Sequence, residues 1–230
     1  MLSYKTIWVS LFSLYKLIFG MIYKLKKIIP FFIGQFTNPA KNPVPIYSNN
    51  NSTGLRIHIG PGLINLQGWI NIDARELPHI HLVTDNLKLN EFKEDSISEI
   101  YLCHVLEHLS FKESIALLKT FFSKLKQGGV LRISVPNFKA LVDVYLANGE
   151  NLNQIKSALM GGQDYNYNYH KSIYDEKSLT NLLEQNSFTK ILKWETKEDF
   201  GISLGDWSDG KFETKNGFIP ISLNLKAIKQ

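Results

Sequence analysis

The stretch LRIHIGPGLINLQGWINID, Leu55 to Asp73, decides the fold. Leu55, Ile57 and Ile59 alternate with polar residues, the period-two pattern of a strand. The chain then turns at Gly60-Pro61-Gly62. A second apolar run, Trp69-Ile70-Asn71-Ile72, ends on Asp73. A strand, a glycine turn and a second strand closing on a carboxylate form the nucleoside-binding half of a doubly wound α/β sheet. Glycine lets a ligand approach the backbone, and the acid accepts hydrogen bonds from ribose hydroxyls. Thirteen positions separate Gly60 from Asp73, too few for a full helix between the strands. A dinucleotide fingerprint needs G-x-G-x-x-G, a helix and an acid ~20 residues on, so this spacing argues against NAD.

Downstream, His79 to Thr84 reads as a third strand ending on Asp85. Ile97 to Cys103 reads as a fourth, with His104-Val105-Leu106-Glu107-His108 at its carboxyl end. Ser110 and Glu113 make an S-x-x-E capping box. The helix that follows presents Phe111, Ile115, Leu118, Phe122 and Leu125 as its apolar face, and Gly128-Gly129 stops it before a fifth strand, Val130 to Val135. Residues 138–148 form a helix, and Asp175 caps another running to about Gln185. Lys190 to Thr196 and the strongly alternating Ile221 to Ile228 complete the strands. This alternation implies a parallel sheet with ligands at the carboxyl ends of its strands.

Charge divides the chain in two. Before position 50 there are six lysines and no acid, whereas the remaining 180 residues carry 20 basic and 21 acidic side chains. The body is nearly neutral, which excludes a nucleic-acid surface as the source of the net +5. Residues 6–29 read as a helix whose polar stripe, from Thr6 through Lys16 to Lys27, crosses an apolar, aromatic-rich surface. Lys16 interrupts a membrane span, and no small-residue cleavage site follows Lys27. An interfacial helix fits the pattern, with a helix packed on protein as the alternative. Pro39, Pro43, Pro45 and the Asn-rich run after them read as a linker. The expected organisation is residues 1–53 as amphipathic helix and linker, and 54–230 as the folded domain. The single cysteine, Cys103, suits a cytoplasmic, reducing compartment and reads as a buried thiol.

The motifs IHIGPG (57–62), GWINID (68–73), the acid Asp85, YLCHVLEHL (101–109) and LKQGGVLRISVP (125–136) together resemble the class I S-adenosylmethionine-dependent methyltransferases. HKSIYDEKSLTNLLEQNSF (170–188) is similar to a stretch of the small members associated with bacterial surface-polysaccharide and glycan biosynthesis. The resemblance implies a Rossmann-like doubly wound sheet of seven strands, mostly parallel with an antiparallel C-terminal strand. It implies S-adenosyl-L-methionine as cofactor, held by the Gly60 and Gly62 turn, by Asp73 at the ribose and by Asp85 near the adenine. It further implies methyl transfer to a hydroxyl or amine of a small-molecule or glycan acceptor. Separately, the pattern of lysines and aromatics points to residues 1–35 as a peripheral membrane contact. The alternative is a non-catalytic cofactor-binding module docked to a membrane-associated biosynthetic complex.

HVLEH satisfies H-x-x-E-H, the inverted zinc-protease motif, but it ends a strand rather than lying within a helix. Ubiquinone-pathway and small-RNA 2′-O-methyltransferases resemble the chain here with E-x-x-E-H, which they use for a divalent ion; His104 stands in place of their first glutamate. The expectation is that no metal binds and that Glu107 and His108 orient the helix and cofactor loop. His104 and His170 are the candidate bases for the acceptor's proton. Tyr165, Tyr167 and Tyr169 are candidates to stack on a sugar ring.

Overall fold

The computed structural model describes residues 54–230. The expected helix and linker of residues 1–53 lie outside the described residues. The core of the structure is a seven-stranded sheet of β1 (Leu55–Ile59), β2 (Ile70–Asp73), β3 (Leu82–Val83), β4 (Ile97–Cys103), β5 (Leu125–Pro136), β6 (Phe188–Lys193) and β9 (Ser222–Lys229). Its spatial order is β3-β2-β1-β4-β5-β9-β6. The first five strands pair in parallel, and β9 runs antiparallel to both β5 and β6. This is the expected Rossmann-like sheet. The strand order reverses at β1, so β1 and β4 diverge there and leave a crevice at their carboxyl ends.

Alternation along the strands separates two apolar layers. Ile57, Ile59, Ile100, Leu102, Leu131, Ile133, Leu223 and Leu225 face the main core. Tyr101, Cys103 and Trp69 join Trp194 and Leu204 in a second, aromatic layer. His58 is buried against that layer, stacked on Tyr101 with ring centroids 4.8 Å apart. Burial, with help from nearby His79, holds its imidazole down to about 3.

The first helix, α1 (Phe111–Lys124), starts at the expected capping box: the Ser110 backbone N–H donates to Glu113 Oε2 at 2.8 Å. Its buried face differs from the expected one. Ser114, Leu117, Leu118 and Phe121 point inward, whereas Phe111 is 69% and Ile115 38% exposed. The cause is Ser114, whose hydroxyl hydrogen-bonds Tyr174 Oη at 3.2 Å and so occupies a core position that hydrophobicity alone assigns to solvent. The helix also ends four residues before the glycines. Gly128 and Gly129 lie instead within β5, where the pairing jumps from Ile97–Leu125 to Glu99–Val130. A Cβ on Gly129 would stand 2.7 Å from the Lys126 carbonyl, so glycine is required for this bulge.

The third strand is shorter than expected. Only Leu82–Val83 pair as strand residues. Before them, His79 Nε2 meets the Gly62 carbonyl of the β1–β2 loop at 3.0 Å, and His81 Nδ1 accepts from the Asn71 N–H of β2 at 3.0 Å. The later helices are α2 (Phe138–Ala147), α3 (Lys156–Met160), α4 (Glu176–Gln185) and α5 (Thr196–Phe200). Asp175 caps α4 as expected, accepting from the Ser178 N–H at 2.7 Å. The hairpin β7 (Lys211–Thr214) and β8 (Gly217–Pro220) closes through the two-residue turn Lys215-Asn216, with Thr214 paired to Gly217; it lies beyond the strands expected from the sequence. No helix among the described residues is long and apolar enough to cross a membrane.

Candidate active site

A cavity of about 360 Å³ opens at the carboxyl ends of β1 to β4. Each strand delivers a wall residue: Gly60 after β1, Asp73 at the end of β2, Asp85 after β3, and His104 after β4. The opposite wall is the loop carrying Tyr165, Tyr167 and Tyr169. Four of the six expected site residues therefore converge on one cavity, while Gly62 and His170 do not line it.

The loop between β1 and β2 contains turns and no helix, as the short spacing requires. Gly60 has φ +61°, and a Cβ there would meet Val105 Cγ2 at 2.5 Å. Its N–H donates to the Ile72 carbonyl at 2.8 Å, which closes the turn over the end of β2. Gly62 serves from behind the wall: its N–H donates to Asp73 Oδ2 at 3.2 Å.

Asp73 is buried and both its oxygens are engaged. Arg75 donates to Oδ1 from its backbone N–H at 2.9 Å and from Nε at 3.2 Å, and to Oδ2 from Nη2 at 3.3 Å. The guanidinium lies 5.4 Å from the Tyr165 ring centre and lines the cavity itself. Arg75 escaped sequence reasoning; the only signal was a cation two positions after the expected ribose carboxylate.

Beside the cavity, HVLEH forms a tight turn. His104 takes φ +53°, a conformation costly for a non-glycine residue and one that recurs at functional sites. The Ser222 hydroxyl donates to the Trp207 carbonyl at 2.6 Å, so at 2.8 Å it accepts from His104 Nε2–H. The other ring nitrogen, Nδ1, then carries its lone pair 3.4 Å from Glu107 Oε1. His108 Nδ1 lies 3.3 Å from the Tyr169 carbonyl, which can only accept. His170 Nε2 stands 3.9 Å from the same Glu107 oxygen.

Glu107 is completely buried, held there by Lys171 and Ser172 N–H groups that donate to its backbone carbonyl at 2.8 and 3.1 Å. Neither carboxylate oxygen has a hydrogen-bond partner. Burial pushes this carboxyl up to about 8. Burial, then the neighbouring imidazoles, lowers His104 to about 3 and His170 to about 4; burial also lowers His108. Cys103 is a buried free thiol, as expected, and burial pushes it up.

Residues 50–193 match the family described as "Methyltransferase domain". No match is found among curated proteins. Among solved structures, the chain is similar to a SAM-dependent methyltransferase from Archaeoglobus fulgidus at 17% identity and TM-score 0.48, covering 90% of this chain and 92% of that one. It is also similar to a 1,6-didemethyltoxoflavin-N1-methyltransferase from Burkholderia thailandensis, solved with its 1,6-didemethyltoxoflavin and S-adenosylhomocysteine. That likeness has 12% identity and TM-score 0.48, covering 92% of this chain and 89% of that one. At these identities and scores the structural likenesses add nothing to the topology already described.

Proposed function

The chain belongs to the methyltransferase-domain family, and on that premise we propose that it transfers the methyl group of S-adenosylmethionine to a hydroxyl or amine of a glycan or glycolipid precursor. One observation supports the donor above all others: Asp73 and Asp85 follow consecutive strands into one cavity beside the Gly60 turn. A cofactor with a ribose diol, an amino-bearing base and a sulfonium cation suits two carboxylates and close backbone.

Transfer is an in-line displacement at the sulfonium carbon, which needs an aligned acceptor and removal of its proton. His104 is the candidate base on the cavity wall. Its Nε2–H is held by Ser222 and its Nδ1 faces Glu107, so removing an acceptor's proton requires the ring to turn and present a nitrogen to the cavity. His170, the other candidate, does not line the cavity, and its Nε2 lies 3.9 Å from Glu107 Oε1. Tyr165, Tyr167 and Tyr169 favour a ring-shaped acceptor, because aromatic faces pack on the apolar faces of sugars. Residues 1–35 bring this cytoplasmic domain to a membrane carrying the acceptor; the support is the sequence pattern of lysines and aromatics.

Thermal unfolding with added ligand tests the donor. S-adenosylmethionine and S-adenosylhomocysteine raise the melting temperature and NAD does not, since a ligand of the native state stabilises it by mass action. A shift with NAD alone ends this reading. For the membrane contact, the full chain sediments with anionic liposomes and a chain starting at Thr53 does not.

A further inference from the structure

We propose that Glu107, His108 and His170 form a divalent transition-metal site of two imidazoles and one carboxylate at the acceptor side of the cavity. Each of the three brings a ligand atom to within 4.8 Å of the other two. Bonds of ~2.1 Å place two ligands of one ion ~3–4 Å apart, so side-chain shifts below ~1 Å close the site.

The observation that asks for an ion is Glu107. Both its oxygens are buried and without a hydrogen-bond partner, an arrangement native proteins avoid unless something absent from the protein itself satisfies the group. The surrounding nitrogens do not supply the missing protons. His104 donates its N–H away, to Ser222, and turns a lone pair toward Glu107 Oε1. His108 uses Nδ1–H on the Tyr169 carbonyl, leaving Nε2 as its lone-pair nitrogen. Lone pairs facing this buried group disfavour its charged form; a cation among them stabilises that form and converts the same arrangement into a coordination shell. The outward hydrogen bonds then act as the partners that orient metal-binding imidazoles.

The donor set also indicates which ion binds. HVLEH supplies one carboxylate where E-x-x-E-H supplies two, and His170 adds an imidazole from a distant loop. Two imidazoles and one carboxylate suit Mn²⁺, Fe²⁺, Co²⁺ or Zn²⁺, whereas Mg²⁺ and Ca²⁺ favour oxygen-rich sites. This departs from the sequence expectation of no metal. His108 lines the cavity, so open positions on the ion would take oxygens of an acceptor; that role, unlike the site, rests on the methyl-transfer reading.

The full chain, stripped with EDTA, is titrated with Mn²⁺ while free Mn²⁺ is followed by electron paramagnetic resonance. One Mn²⁺ binds per chain, and Mg²⁺ displaces it only at a hundredfold excess or more. Glu107→Gln and His170→Asn each weaken binding at least tenfold. The melting shift with S-adenosylhomocysteine, measured on the same samples, reports fold and donor pocket independently of the metal. No stoichiometric binding, equal affinity for Mg²⁺, or unchanged Mn²⁺ binding in either variant that keeps this shift overturns the proposal. If Glu107→Gln does not fold, His170→Asn decides. Failure of Mn²⁺ binding with an intact melting shift leaves the methyl-transfer reading standing.

Discussion

Arg75 occupies the carboxylate that the cofactor's ribose would use, so removing it should tighten cofactor binding. Asp73 receives three hydrogen bonds from Arg75, two of them from the guanidinium. An incoming ribose diol has to displace those two, because Gly62 and the Arg75 backbone already take further positions on the same oxygens. The arginine side chain is 41% exposed, so the ion pair is screened; pairs of this kind contribute about 0.2–1 kcal/mol. Burial of Asp73 places this one near the upper end. Arg75→Ala should therefore lower the dissociation constant of S-adenosylhomocysteine about fivefold, the equivalent of ~1 kcal/mol. Asp73→Asn should act in the opposite direction, weakening binding by ~1–3 kcal/mol through the lost charged acceptor. Titration calorimetry on the two single variants and the double variant closes the cycle. In the Asp73→Asn background, Arg75→Ala should give no gain, since the competition has lost its object. High salt should narrow the gap between the parent and Arg75→Ala by screening the pair. Weaker binding in Arg75→Ala would refute the reasoning and make the guanidinium a cofactor contact; an equal gain in both backgrounds would show that it acts elsewhere.

Gly60→Ala combines a left-handed backbone costing ~1–2 kcal/mol with a Cβ only 2.5 Å from Val105 Cγ2, and should lower the melting temperature by several degrees while abolishing the S-adenosylhomocysteine shift. His58 sits near 3 in the native state against about 6.5 when unfolded, so its contribution is complete above about pH 6.5 and is lost as pH falls toward 3. Urea unfolding should show His58→Phe losing about 2 kcal/mol less than the parent between pH 7 and pH 5; equal losses would remove His58 as the cause. Ser110→Ala deletes the α1 cap and should cost about 1 kcal/mol by calorimetry, with cofactor affinity unchanged.

Local chemistry was legible from the chain itself. The alternation in β1, β4 and β9, the Ser110 and Asp175 caps, and the helix-free link between β1 and β2 all depend on residues a few positions apart, and all appear where the pattern places them. Gly60, Asp73, Asp85 and His104 were legible for a related reason: in a parallel sheet, residues that end successive strands must share one edge. What the tertiary structure alone decided depends on partners distant in sequence. The buried face of α1 turns on Ser114 finding Tyr174, and the glycines at 128–129 serve a bulge because β4 sets the register. Arg75 enters the site because the Tyr165 loop and Asp73 lie on either side of it. Glu107 becomes a buried carboxylate without partners only when the 170–172 backbone closes over it and brings His170 alongside. Periodicity reports which face of an element is apolar; it carries no information on which polar groups a folded chain leaves facing one another away from water.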